Sequence, residues 1–265
     1  MGTTKIPWAD AVWNPVTGCS PVSPGCNNCY AKRDAVRLTG RYGYPKDEPF
    51  APTEHPDRLQ QPLLWKQHRF IFVPSMGDLF HPAITDGFRD QVLGIIREAK
   101  QHTFLMLTKR VEGMKWYFKT TSDLPNNLWL GASVESQDEM SRRRVLLGIP
   151  AAKHFLSIEP LLGKIVLYWY EEQQPDWVIV GGETGPQARP MHPDWVRSLQ
   201  EECAFLDIPF FFKGWGRYHP VSENDPRAKT YLRDAENRQQ WFADLGPRDD
   251  LALLDGREYR ERPPV

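Results

Sequence analysis

The chain has 265 residues and a formal net charge of -1, with 40% hydrophobic and 25% charged residues. This is the composition of a globular protein and excludes wholesale disorder. A charge near zero also excludes general attraction to a phosphate backbone, so contact with nucleic acid would need a local basic patch. No apolar run approaches the roughly 20 residues of a membrane helix, and we see no secretory leader, so we expect a cytoplasmic protein.

The first informative stretch is a loop rich in cysteine. An apolar segment over residues 6–15 predicts a short strand that leads into Cys19, Cys26 and Cys29, three of the four cysteines in the chain. Proline and glycine between them favour turns that direct several thiols to one point, which suits a soft metal centre. Three ligands leave a coordination position open on zinc, and three cysteines on a [4Fe-4S] cluster leave one iron free. Iron–sulfur, zinc and reduced thiols all remain open at this stage, with iron–sulfur favoured.

The next part of the chain predicts little regular structure. A helix over residues 30–38 follows the third cysteine directly, and its positive end would point at the thiolates. Residues 39–69 are rich in proline, glycine and charge. They predict a loop excursion with one short helix over residues 58–67.

From residue 70 onward, apolar runs of strand length alternate with amphipathic helical patterns. Such alternation predicts a parallel sheet with right-handed crossovers. With the first strand we count about seven, so the predicted fold class is α/β, a parallel (β/α) barrel of six to eight strands that is complete or partial; an open doubly wound sheet is the alternative. The predicted strands cover residues 70–73, 103–107, 128–132, 153–156, 177–180 and 209–212, and the predicted helices lie near 88–99, 114–118, 140–147 and 193–206.

Polar residues follow the predicted strands at their carboxyl ends, where barrel proteins place their chemistry. Acidic and basic side chains gathered at one edge suit a zwitterionic ligand. In the last helix, Cys203 falls on the apolar stripe and is predicted to be core rather than a ligand. His81 and His192 are candidates for an acid, a base or a fourth metal ligand. The residues at the strand ends are Asp78, Lys109, Arg110, Glu135, Glu159, Glu183 and Lys213.

The segment from residue 217 onward is charged and predicts an extension rather than a second core. Its Asp255-Gly256 dipeptide is typical of a two-residue hairpin turn, and we expect this hairpin to cover an open side of the sheet. The predicted organisation is a barrel core with the cysteine loop over residues 1–216 and a C-terminal extension over residues 217–265.

Several motifs resemble those of a known family. They are Trp13-Asn-Pro-Val-Thr-Gly-Cys19, Ser75-Met-Gly-Asp78, Ser157-Ile-Glu-Pro160, Gly181-Gly-Glu183 and Ala188-Arg-Pro-Met-His192. Together they resemble the phage and bacterial three-cysteine-motif family, which is similar to radical S-adenosylmethionine (SAM) enzymes. The resemblance implies that the protein is a phage-type enzyme with a partial or full barrel.

The resemblance also implies cofactors and roles. Cys19, Cys26 and Cys29 would hold a [4Fe-4S] cluster whose free iron binds SAM, and an external donor would supply electrons. The usual spacing leaves three and then two residues between the cysteines, whereas here it is six and then two. The residues assigned to SAM are Ser75, Met76, Gly77, Asp78, Ser133, Glu135 and Glu159, and those assigned to catalysis are Lys109, Glu183 and Lys213.

The substrate prediction is a nucleic acid or nucleotide. It rests on the phage context of the family and on a rim rich in arginine and tryptophan, because aromatic and cationic side chains suit exposed bases. The rival hypothesis is a non-catalytic binding or host-inhibiting protein in which zinc or a cluster staples the cysteine loop, closed by a fourth ligand such as His81. The rim residues are Arg142, Arg143, Arg144 and Trp215.

Overall fold

The computed structural model describes residues 4–119, 124–167, 173–234, 237–248 and 252–265. No helix within these ranges is both long and apolar enough to cross a membrane. The strands are β1 (Ala11–Val12), β2 (Val16–Thr17), β3 (Thr53–Glu54), β4 (Phe70–Val73), β5 (Thr103–Thr108), β6 (Leu128–Ser133), β7 (Lys153–Ile158), β8 (Trp177–Gly181), β9 (Phe210–Gly214), β10 (Tyr218–Val221), β11 (Ala228–Arg233) and β12 (Gln239–Asp244). The α-helices are α1 (Tyr30–Arg37), α2 (Asp86–Glu98), α3 (Val111–Lys119), α4 (Ser141–Leu147) and α5 (Pro193–Phe205).

Seven strands form the main sheet, in the order β1-β4-β5-β6-β7-β8-β9. The order never reverses, whereas a doubly wound sheet reverses at its switch point, so the alternative fold is wrong. The predicted class is confirmed as an α/β protein with a parallel, partial (β/α) barrel of seven strands. The helix predicted over 58–67 is wrong: two 3-10 turns, Pro56–Arg58 and Gln61–Leu64, occupy this region, and Pro62 lacks the N–H that a helix continuing from residue 58 would need.

The chain divides into two compact units. The first contains the residues up to Ser133 together with Ser141–Phe155, and the second contains Val134–Met140 and the residues from Leu156 onward, apart from the last residue of the chain. The predicted boundary at residue 216 stays a prediction.

The core of the first unit is built on β4, β5 and β6. Ile71 pairs with Phe104 in parallel register, and both side chains are fully buried. Continuous apolar strands of this kind fit a sheet that is covered on both faces. Helix α2 begins after Thr85, whose hydroxyl accepts a hydrogen bond from the amide of Phe88, and it turns Val92 and Ile96 inward.

The core of the second unit contains β8, β9 and α5. Every residue of β8 is buried. Helix α5 begins after His192, whose ring Nδ1 accepts a hydrogen bond from the amide of Asp194, and Pro193 occupies the first turn, where its missing N–H costs nothing. Cys203 lies fully buried on the same helix face as Leu199, which confirms its predicted place in the core.

The C-terminal segment holds more structure than the sequence predicted. Strands β10, β12 and β11 form a three-stranded antiparallel sheet in that order, which the sequence analysis missed. The predicted hairpin turn is present: Asp255 and Gly256 both have positive φ, and Leu254 pairs with Arg257. Past this turn, Phe212 of β9 donates its amide to the carbonyl of Tyr259, so the chain covers the outer edge of β9 as expected.

Candidate functional site

The cysteine loop lies in the first unit and carries three free, half-buried thiols. A 3-10 turn over Pro24–Cys26 reverses the chain, and the amide of Cys29 donates to the carbonyl of Cys26 at 3.3 Å. Helix α1 begins at Tyr30, directly after Cys29, as predicted. The positive end of that helix therefore lies next to the third cysteine.

The loop after β4 is bound directly to the cysteine loop and its flanks. The side-chain oxygen of Asn14 accepts hydrogen bonds from the amides of Ser75 at 2.7 Å and Met76 at 3.0 Å. From the other side, the hydroxyl of Tyr30 donates to the carbonyl of Ser75 at 2.7 Å, and the amide of Gly18 donates to the carbonyl of Met76 at 2.9 Å. Residues on both sides of the cysteine loop thus hold the backbone of Ser75 and Met76. Neither Asn14 nor Tyr30 was predicted to hold this loop, although Asn14 lies within a motif that carries the resemblance.

Asp78, predicted to bind a ligand, is buried and already bonded within the protein. Its carboxylate accepts the hydroxyl of Thr108 at 2.8 and 2.9 Å, the amide of Phe80 at 2.9 Å and the amide of Lys109 at 3.3 Å. It therefore joins the ends of β4 and β5. No sequence pattern indicated that Thr108 would be its main partner.

Two cations flank the thiols. Burial lowers the pKa of Lys109 to about 8, although the nearby thiols of Cys26 and Cys29 act to raise it. Burial raises the pKa of Cys19 to about 11, with the Asp78 carboxylate adding to the rise and Arg110 opposing it. Burial alone would raise the pKa of Cys26 too, but hydrogen bonds to the backbone of Val22 and Ser23 and the charge of Lys109 lower it overall.

His81 is not placed to complete a metal site as it stands. Its Nε2 bonds the hydroxyl of Ser20 at 2.9 Å, and its Nδ1 accepts the amide of Ala83 at 3.1 Å. Arg110 donates to the same Ser20 hydroxyl at 2.8 Å and to the Ser20 carbonyl at 2.9 Å. Both ring nitrogens of His81 are thus used within the protein.

The end of β6 carries Ser133, which is buried in the first unit. Arg142 donates a hydrogen bond to the Ser133 carbonyl at 2.8 Å. Its neighbour Arg143 is only 2% exposed, so it cannot belong to a solvent-facing rim.

In the second unit, three of the predicted acidic residues are buried or bonded to other residues of the protein. Lys213 forms an ion pair with Glu159 across the ends of β9 and β7. Glu135 is completely buried, and its carbonyl accepts the amide of Leu162 at 2.8 Å. Glu183 is buried against Arg189, which donates its backbone amide, Nε and a terminal nitrogen to the carboxylate at 2.6 to 2.8 Å. Arg189 was not predicted, although it lies in the Ala-Arg-Pro motif.

The glycine pair before Glu183 allows two segments of the backbone to approach each other closely. A Cβ at Gly182 would lie 1.9 Å from the backbone oxygen of Trp215, so the neighbouring strand end occupies the space beside this glycine. Trp215 is only 6% exposed, and its ring nitrogen donates to the carbonyl of Leu253. Trp215, like Arg143, is therefore wrongly placed in a solvent-facing rim.

Comparison with known proteins gives a family for this chain. Residues 3–263 match the family model described as "Protein of unknown function (DUF5131)". The chain belongs to this DUF5131 family. No curated protein matches it.

Among solved structures, this DUF5131 chain is similar to spore photoproduct lyase. One is the lyase complexed with dinucleoside spore photoproduct, with a TM-score of 0.47 and 10% identity over 94% of this chain and 71% of that chain. Another is a double mutant of the lyase with bound AdoMet and dinucleoside spore photoproduct, with a TM-score of 0.45 and 10% identity over 89% of this chain and 69% of that chain.

A second cluster of potential metal ligands lies in the second unit of the DUF5131 chain. Within the described ranges, His192, Asp194 and Asp234 are the only three His, Cys, Asp or Glu residues whose ligand atoms all lie within 4.8 Å of one another. Arginines already pair with both carboxylates: Arg197 with Asp194 at 2.6 Å and Arg238 with Asp234 at 2.5 Å. These charges are therefore satisfied within the protein.

Proposed function

We propose that this DUF5131 protein is a radical SAM-type enzyme in which Cys19, Cys26 and Cys29 hold a [4Fe-4S] cluster. The observation that carries the proposal is the contact between the cysteine loop and residues 75–77, made through Asn14 and Tyr30. In radical SAM enzymes, to which the resembled family is similar, the cysteine loop binds the cluster and the loop after the second strand binds SAM. Here the amides and carbonyls of Ser75 and Met76 are bonded to Asn14, Gly18 and Tyr30, which flank the cysteines along the chain.

The donor set fits a cluster better than a single ion. Because the three cysteines do not form a group with all ligand atoms within 4.8 Å, at least two of their sulfur atoms are farther apart than that. A tetrahedral zinc with Zn–S bonds of about 2.3 Å would bring its sulfur ligands to about 3.8 Å from one another. A cluster of four irons bound by its outer corners accepts a wider spacing. The engaged nitrogens of His81 also argue against a zinc site closed by that residue.

Each part has a role in the proposal. When bound, the cluster supplies the electron for reductive cleavage of SAM, and SAM supplies the radical that abstracts hydrogen from substrate. Lys109 and Arg110 place positive charge beside the thiolates, which offsets the negative charge gathered there. Asp78 has a positioning role in the proposal, because its carboxylate accepts the Lys109 amide and so fixes the start of the Lys109-Arg110 segment.

The remaining assignments concern SAM and the substrate. We assign Gly77 and Ser133 with Glu135 and Glu159 to the SAM side, and Lys109, Glu183 and Lys213 to the substrate side. In this proposal Arg189 orients the Glu183 carboxylate, and Glu159 orients the Lys213 ammonium. The substrate that we propose is a nucleic acid or nucleotide, and the electron donor is a separate reductant.

The test is anaerobic reconstitution with iron and sulfide, followed by metal analysis and electron paramagnetic resonance of the reduced protein. We expect about four irons per chain, and a signal that shifts when SAM is added. Cys26→Ser should lose the signal, whereas Cys203→Ala, which changes a buried cysteine of the core, should keep it. Stoichiometric zinc without iron after reconstitution would contradict the proposal.

A further inference from the structure

One face of the C-terminal antiparallel sheet exposes aromatic and cationic side chains together. Along β11 burial alternates, with Lys229, Tyr231 and Arg233 exposed and the residues between them half-buried. Successive side chains of a strand point to opposite faces, so Tyr231 and Arg233 share one face, whereas a register shift between Ala228 and Thr230 interrupts the alternation at Lys229. Tyr231 is 44% exposed, so its ring is accessible to a ligand.

The aromatic ring at the centre of this face is held in position from two sides. Tyr231 lies directly opposite Trp241 in the antiparallel register, and the two ring centroids are 5.0 Å apart. The guanidinium carbon of Arg233 lies 5.6 Å from the centroid of the Tyr231 ring. Two aromatic rings and a planar cation therefore form a single platform.

The two cations that precede and follow Tyr231 along the strand, Lys229 and Arg233, keep charge available to a ligand. The hydrogen bonds of Arg233 go to the carbonyl and side-chain oxygens of Asn237, both neutral acceptors, at 3.0 and 3.1 Å. The Lys229 side chain is 64% exposed, and its ammonium lies 3.7 Å from Asp244. That carboxylate is already bonded to Arg217 at 2.8 Å, so it neutralises Lys229 only in part. Positive charge thus lies on both sides of Tyr231 along the strand.

We propose that this face binds single-stranded nucleic acid, with an unstacked base on the Tyr231 ring and phosphates beside Lys229 and Arg233. Proteins that hold single strands combine aromatic platforms with cations in this way. A duplex would not fit as well, because its bases are stacked on one another and hide the faces that a tyrosine ring contacts. The inference rests on the nucleic-acid part of the proposed function and is independent of the cluster.

The experiment is fluorescence anisotropy of a labelled oligothymidylate of about 12 nucleotides, titrated with the full chain without added iron or SAM. Tyr231→Ala should weaken binding about 5- to 150-fold, because one stacked base contributes ~1–3 kcal/mol. Tyr231→Phe keeps the ring and should bind within about twofold of the natural chain. Trp116→Ala is the matched control, since it removes a 61% exposed aromatic ring from helix α3 and should have no effect.

A second variant tests the charges separately, in case Tyr231→Ala disturbs the sheet. Lys229→Gln with Arg233→Gln should flatten the dependence of log affinity on log salt by about 1.4, or about 0.7 for each lost phosphate contact. The proposal is overturned if Tyr231→Ala folds and binds like the natural chain, if the salt slope does not change, or if the matched duplex binds as tightly as the single strand. Each of these results would leave the iron and SAM measurements untouched.

Discussion

The side chain of Asn14 bonds the backbone of Ser75, 61 residues away, so that the end of the first strand of the sheet holds the loop after the second. Replacing this asparagine by alanine leaves the amides of Ser75 and Met76 without their acceptor. We expect Asn14→Ala to lower the free energy of unfolding by about 1–2 kcal/mol in urea titrations. Asn14→Asp, which keeps an acceptor oxygen, should retain most of that stability. Equal losses in the two variants would show that the acceptor is not what matters.

The close approach of Trp215 to Gly182 predicts a strong effect of one added methyl group. Gly182→Ala should destabilise the protein by about 3 kcal/mol or more, because the Cβ meets backbone that cannot move independently. Gly94→Ala is the matched control: this helix position has nothing within 4 Å of an added Cβ, so alanine should stabilise the protein by about 0.5–1 kcal/mol. Thermal unfolding of both variants checks the contrast, and a tolerated alanine at position 182 would contradict it.

The buried pair of Glu183 and Arg189 should show strong coupling. The Arg189 side chain is 35% exposed while that of Glu183 is 5% exposed. Removing the arginine therefore leaves a buried carboxylate with neither its ion-pair partner nor water. We expect Arg189→Gln to cost about 2–3 kcal/mol, and Glu183→Gln combined with Arg189→Gln to recover part of that loss. A double-mutant cycle measured by urea unfolding tests this. Additive effects of the two changes would argue that the ion pair contributes no net coupling.

His55 predicts a dependence of stability on pH. Burial, aided by the positive charge of Arg58, lowers its pKa from 6.5 to about 4 in the folded protein. Between pH 4 and pH 6.5 the unfolded chain therefore binds a proton at His55 that the folded chain does not bind. His55 thus stabilises the fold above pH 6.5, and this contribution is lost as the pH falls toward 4. We expect a loss of about 2 kcal/mol from this group across the window.

His55→Gln isolates that contribution, because the amide can still bond the hydroxyl of Thr17, which lies 2.7 Å from the ring Nε2. The unfolding free energy of the variant, measured in urea between pH 7.5 and pH 4.5, should fall less steeply than that of the natural chain. Parallel curves for the two proteins would show that other groups carry the pH dependence.

The strands and helices of the main sheet could be predicted because their signals are local. The run of residues 70–73 is apolar throughout, and the structure places a strand, Phe70–Val73, over the same residues. The small antiparallel sheet was missed because β11 alternates Lys229, Tyr231 and Arg233 with smaller residues, and its charge resembles that of a solvated tail. The period of two was a signal that could have revealed it.

The partners of the candidate site were harder to predict than its members. Asp78 and Glu183 were selected as charged groups at strand ends, but their bonds to Thr108 and Arg189 depend on which loops meet in space. Arg143 and Trp215 were expected at the surface from residue type alone, and both are buried. Sequence patterns give the strand end that carries a residue, whereas burial depends on contacts distant along the chain.

The pairing of Tyr259 and Glu261 with β9 has a consequence for solubility. An uncovered last strand presents a row of free amides and carbonyls, which a second chain can join by intermolecular strand pairing. Here the amide of Phe212 and the carbonyl of Phe210 are occupied by the chain's own later residues. Because β9 is among the most apolar segments of the protein, the residues paired with its edge protect the chain from aggregation. A chain cut after residue 256 should therefore self-associate as its concentration rises.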